Sequence, residues 1–296
     1  MIRTAAEIED KAATVRPPST ANFVLDSLDR LQYAGSGPST NFSINKNASL
    51  FNGYFTRIAL NEIVLDWCVQ NISSGWEPAN NTFSVTLTAV THVVTLPNGH
   101  YTVAEALDMI VALLNDAGAF GPNTFRIEDS FGNAYGANSF GEAFLATTGG
   151  ANFSINQTLL AEQLDFQIGG TANAYPSNCP KLLPIYYLDF VSPQLTYNQE
   201  LKDNSTSSIV RDVLYRWVFA YDNGPIPTDK YGYPILQGYK PFVSRRYLNF
   251  PKQILWNPNQ PIGQLTFQIY SSFGELFDLT GLGLLEYQMT MLVSEN

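Results

Sequence analysis

This sequence has little of what catalytic and metal sites are built from, since its 296 residues include only two cysteines and two histidines. Cys68 and Cys179 lie far apart in the chain, which argues against a disulfide framework or a Cys-x-x-Cys metal site and fits a reducing compartment. His92 falls in a strand-like run and His100 in a turn, so we interpret both as structural residues. The GxSxG, HExxH, P-loop and strand-linked GxGxxG motifs are all missing. We therefore predict no catalytic, cofactor-binding or metal-binding residues, and a protein that is not an enzyme.

Charged residues are also scarce, at 14% of the chain against about 25% in an average domain. The 16 Lys and Arg residues are scattered and are outnumbered by 26 Asp and Glu residues. A duplex-binding surface needs bases gathered on one face, so we expect no direct binding of nucleic acid. The adjacent pair Arg245 and Arg246 is interpreted as a strand end or a salt bridge to another subunit. The remaining neutral surface favours coverage by neighbouring subunits.

Long apolar runs are absent as well. No stretch of 18 apolar residues occurs, so we expect no membrane span. The first 20 residues mix charges with alanine, and Arg16-Pro17-Pro18 lies near their end. This composition predicts no secretory signal, and it indicates an extended N-terminal arm over residues 1–20.

One helix is strongly predicted, over residues 102–115. Thr102 can cap its first turn while Glu105 reaches back to the Thr102 amide, and Gly118 follows its end. Its apolar residues recur at steps of three and four along one face: Val103, Ala106, Leu107, Ile110, Leu113 and Leu114. Because most of the remaining chain has strand and turn patterns, this helix indicates an insertion in an all-β body.

Strand patterns occur on both sides of that helix. Before it they cover residues 22–32, 41–46 and 53–69, and then residues 83–90, where Phe83, Val85, Leu87 and Ala89 alternate with polar residues. After it we predict strands in six runs, namely 182–192, 192–200, 208–221, 244–256, 263–276 and 284–294. Long connections between the strands favour a two-sheet jelly roll over a meander. We predict an antiparallel single jelly-roll β-sandwich from residues 21–98 and 173–296, with a small inserted α+β domain at 99–172.

Three features leave alternatives open. Paired carboxylates could support hydrolysis if Glu128-Asp129, Asp222 and Asp229 met across strands. The loop at residues 221–234 carries oxygen donors without the regular spacing of a calcium loop, and its tyrosines suit a subunit contact. Exposed aromatic residues could instead stack on glycans, and the candidates for that role are Trp76, Trp256 and Tyr233.

Three segments together resemble the penton and minor capsid proteins of virophages and polinton-like double-stranded DNA viruses. The first, residues 43–73, runs from SINKNASLF into a long strand and an Asn-rich turn. The second comprises the helix with its LPNGHYT lead, the run TFRIE and the later run FSINQTLLAEQLDFQIG. The third is the ending, PIGQLTFQIYSSFGELFDL followed by LLEYQMTMLVSEN. The resemblance covers most of residues 22–294.

The resemblance implies a structural capsid protein, penton-type, that forms a pentameric ring at the five-fold vertices of an icosahedral shell. Its implied partners are four further copies of itself and the major capsid protein of the same virion, with a host receptor or glycan as a further partner. The implied location is the virion, after synthesis in the host cytoplasm. Two alternatives remain, a minor capsid protein away from the vertex and a jelly-roll module that binds a host receptor or glycan.

Overall fold

The computed structural model describes residues 20–30, 38–45, 57–117, 123–136, 139, 142–196, 213–220, 225–249, 253–255 and 263–294. Residues 1–19 of the predicted arm, Gly118 and Trp256 lie outside these ranges. None of the helices within them has the length and apolar character to cross a membrane.

Two antiparallel sheets form the body. The first contains β1 (Thr20–Asp26), β3 (Arg57–Val69), β12 (Phe242–Tyr247) and β15 (Gly283–Ser294), in the order β1-β15-β3-β12. A short strand, β13 (Gln253–Leu255), also pairs with β3. The second contains β2 (Asn41–Asn45), β10 (Tyr187–Val191), β11 (Val213–Val218) and β14 (Gln264–Ser271), in the order β11-β10-β14-β2. The first strand pairs with the last, and the second with β14, as in a jelly roll. The predicted all-β jelly roll is confirmed.

One extra residue in β3 shifts the alternation of buried and less buried positions along that strand. Ile58 and Leu60 are buried in β3, and the next buried residue is Ile63, three positions on. Pairing with β15 passes from Leu60 opposite Met291 to Glu62 opposite Thr290, which leaves Asn61 as a bulge. Side chains alternate between the faces of a strand, so this bulge keeps both halves of β3 turned towards the core.

The connection between β3 and β10 forms two smaller sheets and two helices. One sheet contains β4 (Thr82–Leu87), β5 (Val90–Thr95) and β8 (Phe153–Ile155), in the order β5-β4-β8. The other contains β6 (Phe125–Glu128), β7 (Ala143–Thr147) and β9 (Ala174–Ser177), in the order β6-β7-β9. The helices are α1 (Val103–Asp116) and α2 (Leu159–Gln163).

The helix prediction is confirmed to within one residue. Thr102 accepts a hydrogen bond from the Glu105 amide, and Glu105 accepts one from the Thr102 amide at 2.7 Å, which together form a capping box. Five of the six predicted apolar residues are buried, and Leu113 is half-buried.

The strand prediction for residues 83–90 needs one correction. Phe83, Val85 and Leu87 are buried as predicted, but Ala89 lies in a two-residue turn with φ of 67°, where β4 reverses into β5. β4 also pairs with β8, so a strand before residue 99 and a strand after it share one sheet. The reason is packing, because Phe83 meets Phe166 near α2, with ring centroids 5.7 Å apart.

The predicted strand at residues 192–200 is wrong where the structure describes it. Pro193–Thr196 forms a short helical turn, α3, and Leu195 in it is buried. Gln194 bonds to the backbone amide of Thr266 at 2.9 Å through its side-chain oxygen. The turn thus hydrogen-bonds to β14 beyond Gln268, where the pairing of β14 with β10 ends, in place of a further strand.

Candidate functional site

The cysteine and histidine residues do not form a common site in the described structure. Cys68 and Cys179 are free thiols, and burial raises the pKa of the Cys68 thiol. His92 lies in β5, and burial followed by the charge of Lys240 lowers the pKa of His100. Across the described ranges, no group of three or more His, Cys, Asp or Glu side chains could hold a metal ion.

Three tight turns share one hydrogen-bonding pattern and one sequence form. They are residues 129–133 (DSFGN), 229–233 (DKYGY) and 271–275 (SSFGE). In each turn the first and fifth residues pair through the backbone, and the side chain of the first accepts from the amide of the third, an aromatic residue. The fourth is a glycine with φ between 79° and 92°, a conformation that residues with a side chain rarely adopt. The shared form places an aromatic side chain at the tip of each turn.

Two of the candidate carboxylates for hydrolysis, Asp129 and Asp229, each form the first residue of one of these turns. Backbone amides, that of Asn133 first, hold the pKa of Asp129 below its ordinary value. Burial raises the pKa of Asp229 even though its carboxylate accepts three amide hydrogen bonds. Glu128 pairs with Arg126. Asp222 lies outside the described ranges. Both aspartates are therefore engaged as turn and helix partners.

The connection from β11 to β12 fastens the inserted segment to the jelly roll. Asp229 accepts from the Ala104 amide at the start of α1 at 2.8 Å, and the Tyr231 hydroxyl donates to Asp108 at 2.5 Å. Burial, then the hydrogen bond to Asp108, raises the pKa of Tyr231. The hydroxyl of Tyr233 donates to the Ser177 carbonyl in β9. The predicted interface loop is thus, where described, an internal clamp.

Two of the three aromatic residues proposed for glycan stacking, Trp76 and Tyr233, are buried. Tyr233 and Trp76 are 7% and 8% exposed, and the Trp76 indole donates to the Gln70 carbonyl at 3.0 Å. Trp256 lies outside the described ranges. The two described candidates, Trp76 and Tyr233, therefore give the glycan alternative no support.

The basic pair Arg245 and Arg246 is used within the chain. Arg245 pairs with Glu62 across the first sheet. Arg246 lies over the ring of Trp217 at 3.9 Å and donates to the Val218 carbonyl at 3.1 Å. Because Arg246 is on β12 and Trp217 on β11, its guanidinium closes the side of the sandwich where the two edge strands lie.

The outer face of the second sheet is a neutral hydrogen-bonding surface. Ser43 and Thr266 lie 2.9 Å apart through their hydroxyls, and Tyr270 donates to Gln268 at 3.2 Å. Asp189 and Arg216 on this face form an ion pair at 2.6 Å, so their charges neutralise each other within the chain. The Asp189 side chain is fully buried. Few charges on this face would lose water if another protein covered it.

The outer face of the first sheet has a different character. Four exposed apolar side chains lie on it, between 51% and 69% exposed: Val24, Val243, Tyr247 and Leu284. Its charged residues include the pairs Arg245 with Glu62 and Arg30 with Glu286. The sandwich thus presents two unlike faces, one of amides and hydroxyls and one of apolar residues and ion pairs.

These sheets define the chain as a jelly-roll protein with a long insertion between β3 and β10. The fold is similar to a solved structure, the selenomethionine-labelled mavirus penton protein, with a TM-score of 0.50 and 14% sequence identity. The similarity covers 95% of this chain and 100% of that chain. No family model matches the sequence, and no curated protein matches it either. At this identity the likeness shows the fold, which is penton-like over nearly the whole chain.

Sequence reasoning missed the repeated turns, although their signal was visible. The three five-residue strings each begin with Asp or Ser and place an aromatic residue before Gly. The strings do not show which of the aromatic side chains are exposed to solvent. Phe131 and Phe273 are 79% and 67% exposed at their tips, while Tyr231 is 7% exposed.

Proposed function

We propose that this chain is a structural capsid protein that forms a pentameric ring at the five-fold vertices of an icosahedral shell. The observation that carries the proposal is the whole-chain similarity to a penton protein, which includes the insertion as well as the jelly roll. The major capsid protein of the same virion is the second partner, and the virion is the location.

The unlike faces of the sandwich support a ring. A cyclic pentamer needs a head-to-tail contact between two different surfaces, whereas a two-fold dimer uses the same surface twice. An obligate contact of this kind commonly buries more than about 2,000 Å². Because charged residues make up only 14% of the chain, covering its surface costs less desolvation than covering that of an average domain.

The inserted segment is a separate domain in this proposal, with bounds shifted from those first predicted. Since β4 pairs with β8 and β9 pairs with β7, the domain extends from the end of β3 to about the end of β9. Its clamp to the β11–β12 connection sets it at one end of the jelly roll.

Native mass tests the proposal. Mass photometry at several concentrations should give five times the chain mass of 32.8 kDa. Val243→Arg, on the outer face of the first sheet, should reduce the native mass. Val93→Arg is the matched control, because Val93 has a similar exposure of 63% on β5.

The opposing result is also defined. A protein that stays monomeric at every concentration, and is absent from the vertices of particles assembled with the major capsid protein, would contradict the vertex role. Density at another position of the shell would favour the minor capsid alternative.

A further inference from the structure

A groove runs along the junction of the insertion and the jelly roll. Its walls are the connection at residues 74–79, α2, the connection at 179–186 and the turn at 271–275. Its volume is about 570 Å³, and a second hollow of about 990 Å³ adjoins it. Trp76, Glu77, Pro78 and Phe273 line both, so the two hollows lie side by side along these residues.

Exposed aromatic side chains flank this groove. Phe273 is 67% and Tyr186 57% exposed, and the Ser272 hydroxyl accepts from the Tyr186 amide at 3.2 Å, which ties the two positions together. Leu276, 40% exposed, continues the apolar surface along the second hollow. The floor includes Trp76, Pro184 and Leu183. Large apolar side chains held in water at a concave surface are typical of a site that another molecule covers.

The groove is strongly acidic. Five exposed carboxylates line the two hollows, namely Glu77, Glu162, Asp165, Glu275 and Asp278. Lys181 is the single basic residue in either lining. In the described part of the chain, none of the five carboxylates has a Lys or Arg partner. Their field therefore favours a cationic occupant, because uncompensated charges that face one concavity add together.

The groove wall is held in place by hydrogen bonds and by close backbone packing. Asn80 bonds at once to the Ser73 amide at 2.8 Å, the Asn71 carbonyl at 2.7 Å and the Gln163 side chain of α2 at 3.0 Å. A side chain at Gly75 would lie 2.8 Å from the backbone of Gly281, so the two loops pack backbone against backbone. A fixed wall lowers the entropy cost of binding.

We infer that this groove binds an extended cationic peptide segment of another protein, with Arg or Lys side chains placed between apolar ones. Guanidinium groups would pair with the carboxylates and lie over Phe273 and Tyr186, where cation–π attraction adds to the charge term. Intervening proline or leucine side chains would lie over Pro184 and Leu276. The assignment is independent of the vertex role, because the groove is formed within one chain.

The test uses the full chain and fluorescence anisotropy with a short labelled peptide of alternating arginine, proline and leucine. Two matched peptides carry glutamine or glutamate in place of arginine. The arginine peptide should bind at least about tenfold more tightly than the glutamine peptide, and its affinity should fall with added salt. The glutamate peptide should not bind.

The chain supplies matched variants. Phe273→Ser should weaken binding about tenfold, the worth of one well-placed aromatic contact, while Phe131→Ser, at the same position of an equivalent turn, should leave it unchanged. Glu162→Gln should weaken it, whereas Glu142→Gln, an exposed carboxylate that lines neither hollow, should not. Circular dichroism confirms that each variant is folded.

Several results would overturn the inference. Absence of saturable binding by folded protein would do so, as would equal binding of the glutamine peptide or equal weakening by Phe131→Ser. A change in native mass on Phe273→Ser would identify a second copy as the occupant. A monomer that binds the arginine peptide would uphold this inference while counting against the vertex role.

Discussion

The carboxylate of Asp229 lies 2.8 Å from the backbone nitrogen of Ala104, 125 residues earlier in the chain. Ala104 is in the first turn of α1, where the amides have no partner within the helix. Hydrogen bonding and the helix dipole both favour a carboxylate there, and burial outweighs them in the pKa of Asp229, which is raised. The same carboxylate also shapes its own turn through the amides of Tyr231 and Tyr233. One side chain therefore joins the β11–β12 connection of the jelly roll to the inserted helix.

Asp229→Ala should lower the free energy of unfolding by about 2 kcal/mol, because it removes an acceptor from three amides. Asp129→Ala is the matched change, since Asp129 shapes an equivalent turn without reaching a helix, and it should cost less. Equilibrium urea unfolding measures both. Equal losses would show that the contact with α1 contributes nothing.

The stability contributed by Asp229 should depend on pH in a defined direction. Its folded-state pKa is raised above the ordinary value of 3.8, so the folded protein holds the proton more tightly than the unfolded chain does. The stabilisation is then fully present below the ordinary pKa and is lost as pH rises through the raised one. Wild-type protein should lose stability relative to Asp229→Asn as pH rises above 3.8. Denaturant titrations of both proteins at a series of pH values would reveal the opposite slope if the assignment were wrong.

Tyr287→Phe should leave the protein equally stable or make it up to about 1 kcal/mol more stable. The hydroxyl of Tyr287 is buried between the sheets and has no hydrogen-bond partner among the described residues, while its ring packs on Phe190 at 5.1 Å. Tyr175→Phe is the control, because that hydroxyl is directed at the carbonyls of Phe153 and Gly170. It should cost about 1 kcal/mol. Thermal unfolding compares the two, and a larger loss at Tyr287 would indicate a partner for its hydroxyl.

Arg246→Ala should destabilise the fold by about 1–2 kcal/mol, since it uncovers Trp217 and leaves the Val218 carbonyl without its donor. Arg246→Lys should recover only part of the loss, because an ammonium cannot stack as a planar guanidinium does. Arg245→Ala should change stability less than Arg246→Ala does, because the Arg245 side chain is 56% exposed where it pairs with Glu62. Chemical denaturation measures the stability of the three variants. A larger loss of stability for Arg245→Ala than for Arg246→Ala would contradict the proposal that Arg246 closes this side of the sandwich.

Local patterns were the parts of the fold that could be predicted. The capping box of Thr102 and Glu105 spans four residues, and the alternation along residues 264–271 depends only on neighbours in the strand. Interactions of this kind form within a few residues of each other, so the same string favours them in many contexts. The jelly-roll class followed from the number of such strands and from the resemblance of three segments to penton-type proteins.

The groove and the surfaces could not be predicted in this way. The turns DSFGN, DKYGY and SSFGE have the same local structure, yet Tyr231 is covered by α1 and Tyr135 while Phe131 and Phe273 face outwards. Likewise the alternation of residues 82–87 predicts a strand with one buried face, and it is equally compatible with β8 or with the jelly roll as its neighbour. The sequence by itself determined the elements, the turns and the scarcity of groups for chemistry. Only the tertiary structure decided which strands pair and which aromatic residues stay exposed, because those outcomes depend on the free energy of packing segments that lie far apart in the chain.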